Sequence, residues 1–202
     1  MRLVAATRNR GKLREIREIL GPADIEAFGL EDVRSPPSFV EDGDTFLENA
    51  RKKARIVADA TGLPALADDS GLAVEALEGR PGVFSARYAG PGASDEDNNR
   101  KLLSELEGLA SDRRRAAFVC AMVLALPGDG EWAAEGRLEG RILDSPRGNG
   151  GFGYDPLFCV ESAGQTLAEM APGEKNRLSH RGQALRQLLP RLSILASAPA
   201  RT

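Results

Sequence analysis

Leu3-Val4-Ala5-Ala6-Thr7-Arg8-Asn9-Arg10-Gly11-Lys12-Leu13-Arg14-Glu15-Ile16-Arg17-Glu18-Ile19-Leu20-Gly21-Pro22 reads as a strand, a loop and a helix. Leu3 to Ala6 is an apolar run of strand length. Thr7 to Gly11 is polar and turn-like. Leu13, Ile16, Ile19 and Leu20 then recur at helical spacing, and Gly21-Pro22 stops the helix. A second short strand is expected around Ile25 to Phe28. Thr45-Phe46-Leu47-Glu48 has the form of a capping box, S/T-x-x-E. The helix it opens carries Phe46, Leu47, Ala50, Ala54, Val57 and Ala58 on one face, and Gly62 is its natural stop.

Further along, Leu66-Ala67 leads into Asp68-Asp69-Ser70-Gly71, and Leu72 to Leu77 forms a second extended piece. Ser94 caps a helix bearing Leu102, Leu103, Leu106 and Leu109. Ala116 to Leu126 and Trp132 to Leu143, around a Pro127-Gly128-Asp129-Gly130 turn, read as a hairpin. Short helical pieces around Thr166 to Met170 and Gln183 to Leu189 finish the chain. Interspersed strands and helices make the class α/β, and the hairpin makes the sheet mixed. The 202 residues suit one large domain or two closely packed lobes. Residues 196–202 read as a frayed, disordered tail.

A net charge of −3 argues against a nucleic-acid partner, because duplex binding demands a basic surface. The N-terminus turns polar at Thr7, too early for a signal peptide. No apolar run approaches the ~18 residues that span a bilayer. Cys120 and Cys159 stand beside apolar residues and read as buried thiols, not as a disulfide or a zinc site. These features predict a cytoplasmic protein with no membrane partner.

Five segments carry candidate chemistry. Thr7 to Lys12 lies between strand and helix, where free N–H groups and a partial positive charge suit phosphate; Lys12 adds a full charge, and Asn9 also reads as a helix cap. The loop lacks the Walker A pattern. Asp68 and Asp69 end an apolar strand. Successive strand residues face opposite sides, so one aspartate reads as a metal ligand or base and the other as its support. Glu41-Asp42-Gly43-Asp44 precedes a helix, where acids are favourable in themselves; Glu41 lies farthest out and has the reach for a metal.

Gly148-Asn149-Gly150-Gly151-Phe152-Gly153-Tyr154-Asp155-Pro156 combines close backbone approach with two alternating aromatics in a chain only 5% aromatic, a pattern that suits base stacking. In Glu174-Lys175-Asn176-Arg177-Leu178-Ser179-His180-Arg181 the lone histidine sits beside cations that disfavour its protonation. A neutral imidazole both donates and accepts, which suits a base better than a phosphate.

Six segments in register resemble the inosine triphosphate pyrophosphatase family: Thr7-x-Asn9-x-x-Lys12; Glu41-x-Gly43-x-Thr45-Phe46-x-Glu48-Asn49-Ala50; Ala67-Asp68-Asp69-Ser70-Gly71-Leu72; Pro81 to Gly90; Gly150 to Phe158; and Glu174-Lys175-Asn176 with Ser179-His180-Arg181. Asn149 stands where Thr is frequent, and Arg8 and Arg10 fill variable positions. The resemblance implies a long curved mixed β-sheet flanked by helices, two lobes with a central cleft, and a homodimer. It implies one nucleoside triphosphate pyrophosphatase domain over residues 1–195. Thr7, Arg8, Asn9, Arg10, Gly11 and Lys12 would hold the phosphates of a nucleoside triphosphate. Asp69 would be the general base in contact with Mg2+, Glu41 the second metal-linked carboxylate, and Ser70 a substrate contact. Phe152, Gly153, Tyr154, Asp155, Lys175, His180 and Arg181 would hold base and sugar.

The expected reaction is release of pyrophosphate from ITP, dITP or XTP. A donor aimed at O6, from a backbone N–H or Arg181, would reject ATP, and a pocket with no acceptor for a 2-amino group would reject GTP. The alternative is a related pyrophosphatase acting on pyrimidine or modified nucleotides.

Overall fold

The computed structural model describes residues 1–128 and 130–197. The expected tail falls mostly outside them: residues 196 and 197 belong to the last helix, and 198–202 lie outside the described residues. The elements are β1 (Arg2–Ala5), α1 (Arg10–Leu20), β2 (Glu26–Gly29), α2 (Phe46–Thr61), β3 (Ala65–Val74), α3 (Asp95–Glu105), β4 (Arg115–Ala125), β5 (Glu131–Ile142), β6 (Phe158–Val160), β7 (Gln165–Thr166), α4 (Pro172–Leu178) and α5 (His180–Ser197). The seven strands form a mixed sheet in the order β2-β1-β3-β4-β5-β6-β7. β1 runs parallel to both β2 and β3. β6 runs antiparallel to both β5 and β7.

The helix ends follow local rules. Asn9 caps α1, its Oδ1 accepting the Lys12 N–H at 3.1 Å. Thr45 and Glu48 form a reciprocal capping box on α2, and Gly62 ends that helix with φ +67°. Ser94 and Asp97 do the same for α3. β1 is buried on both faces, as a strand covered by helices on each side must be. Leu3 and Ala5 join Leu13, Ile16, Leu20, Met122, Leu185 and Leu188 in one core cluster. Val4 and Ala6 join Ala50, Ala54, Val57 and Ala58 of α2 in another.

The chain forms two compact units. One comprises Met1–Asp69, Cys120–Gly136 and the residues from Arg181 on, and holds the two clusters just described. The other comprises Ser70–Val119 and Arg137–His180. Its core gathers Leu72, Leu102, Leu106, Phe118, Leu138, Ile142, Tyr154 and Phe158.

Three local expectations need correction. The two extended pieces around Asp68-Asp69-Ser70-Gly71 are one strand, β3, unbroken from Ala65 to Val74 and followed by a 3-10 turn over Glu75–Leu77. The strand continues because its charged residues are paired and Gly71 leaves room for the backbone facing it. Thr166 to Met170 is not helical: β7 takes Thr166, and turns follow. The helix expected over Gln183 to Leu189 spans His180–Ser197, running through Pro190. A proline inside a helix costs about 3 kcal/mol. Burial of Leu185, Leu188 and Leu192 against the core offsets it. Among the described residues no helix is long and apolar enough to cross a membrane.

Candidate functional site

In the first unit the loop between β1 and α1 is held by its own side chains. Thr7 Oγ1 accepts the Asn9 N–H at 3.1 Å, and Asn9 Oδ1 accepts that of Lys12. Both side chains therefore shape the loop. Arg8 lies over the Phe39 ring at 5.7 Å, and exposed Arg10 sits 3.8 Å from Glu31. Thr7 to Arg10, with Leu13, Leu30, Glu31 and Pro36, line a cavity of about 300 Å³.

Lys12 leaves this loop toward β3, its Nζ 2.9 Å from Asp68 Oδ2. The Asp68 side chain is wholly buried and also meets Arg181 Nε at 3.2 Å. Arg181, itself 2% exposed, pairs in turn with Glu15 of α1. Burial would push the Asp68 carboxyl up, but Lys12, Arg181 and Lys53 hold it well below the usual carboxylate range.

Asp69 points to the other face of β3, as strand parity requires. Its Oδ2 accepts from Asn49 Nδ2 at 3.0 Å, and its Oδ1 lies 3.4 Å from Lys53 Nζ. Asn49 also accepts the Gly43 N–H at 2.9 Å, tying down the loop that carries Glu41. Lys53 Nζ donates to Glu41 and, at 2.7 Å, to the Asp68 carbonyl. One ammonium thus faces two carboxylates. Burial raises the Asp69 pKa, with Lys53 and Lys12 pulling the other way and Glu41 adding to the rise. Burial would lower that of Lys53, but Asp69, Asp68 and Glu41 together raise it. Asp69 is therefore a buried carboxylate whose pKa lies above its ordinary value. Among the described residues no set of three or more His, Cys, Asp or Glu converges as an all-protein metal cage.

The second unit holds the glycine-rich loop. Asp155 Oδ2 accepts the Phe152 N–H at 2.8 Å and pairs with Lys175 Nζ at 2.5 Å. That ammonium also lies 4.7 Å from the centre of the Phe152 ring. Tyr154 is buried and donates to the Ser85 carbonyl at 2.9 Å. Burial pushes its phenol pKa upward, so it stays a donor. His180 is buried with its ring stacked on Phe118, centroids 4.7 Å apart and planes within 7°. Ser70 follows Asp69 in β3 and is half-buried. The loop therefore places an aromatic ring beside a paired cation.

The structure brings Lys12, Asp68 and Arg181 together, and Glu41 with Asp69. In the second unit it brings Phe152, Asp155 and Lys175 together. Arg181, expected beside the base, has its side chain in buried ion pairs with Asp68 and Glu15. Sequence reasoning gave no role to Lys53, Asn49 or Glu15. A signal existed for Lys53, which falls at helical spacing within the apolar stripe of Ala50, Ala54 and Val57. A lysine buried there needs a partner.

The Ham1 family model matches residues 3–191. The chain is 59% identical over 184 residues to a dITP/XTP pyrophosphatase of Geobacter sulfurreducens, covering 91% of this chain and 92% of that one. It is 55% identical over 191 residues to a dITP/XTP pyrophosphatase of Thermus thermophilus, covering 94% and 90%. A Ham1 protein structure from Coxiella burnetii superposes with a TM-score of 0.85 at 45% identity, covering 96% of this chain and 99% of that one.

Proposed function

The chain belongs to the Ham1 family, and on that premise we propose that it hydrolyses non-standard purine nucleoside triphosphates such as ITP, dITP and XTP to the monophosphate and pyrophosphate. The dITP/XTP pyrophosphatases among its relatives support the substrate class. The chain's own residues support the chemistry. The observation that carries it is the Asp69 carboxylate, buried, held by Asn49 and faced by Lys53.

Thr7 to Lys12 receive the phosphates at the N-terminus of α1. Asp69 takes a proton from the attacking water as its oxygen bonds to phosphorus, and the α–β anhydride bond breaks. Lys12, oriented by Asp68, and the α1 N–H groups meet the charge left on pyrophosphate. Glu41 and Asp69 fit a magnesium ion, which takes hard oxygen donors and commonly one or two carboxylates beside substrate phosphates. When bound, Mg2+ supplies positive charge at the phosphate oxygens. Lys53 keeps the two carboxylates from repelling one another.

Phe152 supplies a stacking face for the purine. Lys175, held by Asp155, and backbone N–H groups supply donors for a 6-oxo group. Ser70, Tyr154 and His180 complete the base and sugar contacts. With its guanidinium held by two carboxylates, Arg181 acts through Asp68. The same reading makes the protein a cytoplasmic homodimer, which light scattering would test against the 21.6 kDa chain mass.

The test is product analysis with ITP, XTP, GTP, ATP, dTTP and UTP, with Mg2+ and with chelator. Pyrophosphate and monophosphate from ITP and XTP alone, only with Mg2+, is the expected result. Release of orthophosphate, or turnover of pyrimidines instead, would contradict it.

A further inference from the structure

Helix α3 meets the glycine-rich loop at Gly153, and captures both of that residue's backbone polar groups. Asp95 Oδ2 accepts the Gly153 N–H at 2.6 Å, and Asn99 Nδ2 donates to the Gly153 carbonyl at 3.0 Å. Asp95 and Asn99 are four residues apart and so share one helix face. Gly153 has φ +62° and no side chain to fix its peptide planes. Its neighbours are Phe152, whose ring meets Lys175, and Tyr154, anchored on Ser85. Asn98, next along the helix, accepts from Ala89 N at 2.8 Å and donates to the Ala86 carbonyl at 3.3 Å. α3 is itself fixed at its start by the Ser94–Asp97 capping box.

We propose that Asp95 and Asn99 are positioning residues for base selectivity, clamping the Gly153 peptide so that Phe152 and the Asp155–Lys175 pair meet the purine in one fixed arrangement. The proposal rests on the reading that this loop receives the base. Rejection of a wrong base requires that donors and acceptors not move to suit it. A clamped loop leaves a mismatched amine facing a fixed donor, whereas a loose loop adapts and the mismatch penalty falls. Neither side chain has to touch the nucleotide.

The test measures kcat and KM for ITP and ATP, with thermal midpoints, in wild type, Asp95→Ala, Asp95→Asn, Asn99→Ala and Asn99→Asp. Asp95→Asn keeps an acceptor for the Gly153 N–H. Asn99→Asp is nearly isosteric but replaces the donor with an acceptor facing a carbonyl. Asp95→Ala and Asn99→Asp are expected to raise KM for ITP and to cut the preference for ITP over ATP about tenfold, the scale of one lost hydrogen bond, with kcat for ITP little changed. Asp95→Asn should recover most of both. Asn99→Ala removes the donor without adding charge and stands in if Asn99→Asp does not fold.

Folded variants with wild-type KM and preference would overturn the proposal. So would a fall in kcat alone, which marks general loosening. A wild type inactive on every purine triphosphate would instead overturn the functional reading, and this proposal with it.

Discussion

Lys53 sets the charge balance around Asp69. It is buried on α2 and faces Glu41 and Asp69 at once. Replacing it with Met removes the strongest of the groups that pull the Asp69 pKa down, so that pKa rises further above its ordinary value. A base with a higher pKa is lost at higher pH. Lys53→Met is therefore expected to lower kcat/KM and to shift the acidic limb of its pH profile upward; an unmoved limb would contradict this charge balance. Asp68 plays the opposite part. Its folded pKa is depressed by Lys12 and Arg181 against burial, so its stabilisation is present above the unfolded value of about 3.9 and is lost as pH falls toward the folded one. Asp68→Asn leaves Arg181 facing one buried carboxylate where there were two, and is expected to lower stability at pH 7 by about 3 kcal/mol. Denaturation midpoints of wild type and Asp68→Asn should converge as pH drops below about 4, and a constant gap would contradict the assignment. The division of labour between the two aspartates was open in the sequence. Strand parity separated them, the family resemblance named Asp69 as the base, and the structure pairs Asp68 with Lys12 and Arg181.

At the scale of elements, much of this architecture is legible in the sequence where chemistry is local. Asn9, Thr45 and Ser94 are caps because their side chains reach N–H groups three residues on, and Gly62 is a stop because it accepts a left-handed backbone. β3 was not legible as one strand, because Asp68-Asp69-Ser70-Gly71 carries turn residues. Its continuity depends on partners far along the chain, Lys12 and Arg181 for Asp68, and Ser85 for Leu72 N–H. α5 likewise outran its expected end because burial outweighs a proline penalty. Gly71 shows how tight the strand is. A Cβ there would lie 2.4 Å from both the Gly82 carbonyl and Ser85 Oγ. Gly71→Ala is expected to cost about 2 kcal/mol, the range of overpacking, read as a lowered denaturation midpoint. An unchanged midpoint would mean that the 82–85 turn yields freely.

For the molecule as a whole, each compact unit has its own core and its own group of candidate residues. The first unit holds Glu41, Asp68, Asp69, Lys12, Lys53 and the N-terminus of α1, groups of the kind that phosphate, metal and proton transfer require. The second holds the aromatic and glycine-rich loop, which suits a base. The six motifs pointed to these residues by resemblance, while ion pairs between distant positions, such as Glu15 with Arg181, left no spacing to read.

The most direct test of the account is the turnover of Asp69→Asn with ITP and Mg2+, beside its thermal midpoint. A folded protein with kcat lowered at least ~100-fold, the scale of a lost general base, is expected. Turnover near wild type in a folded Asp69→Asn would show that this carboxylate does not take the proton.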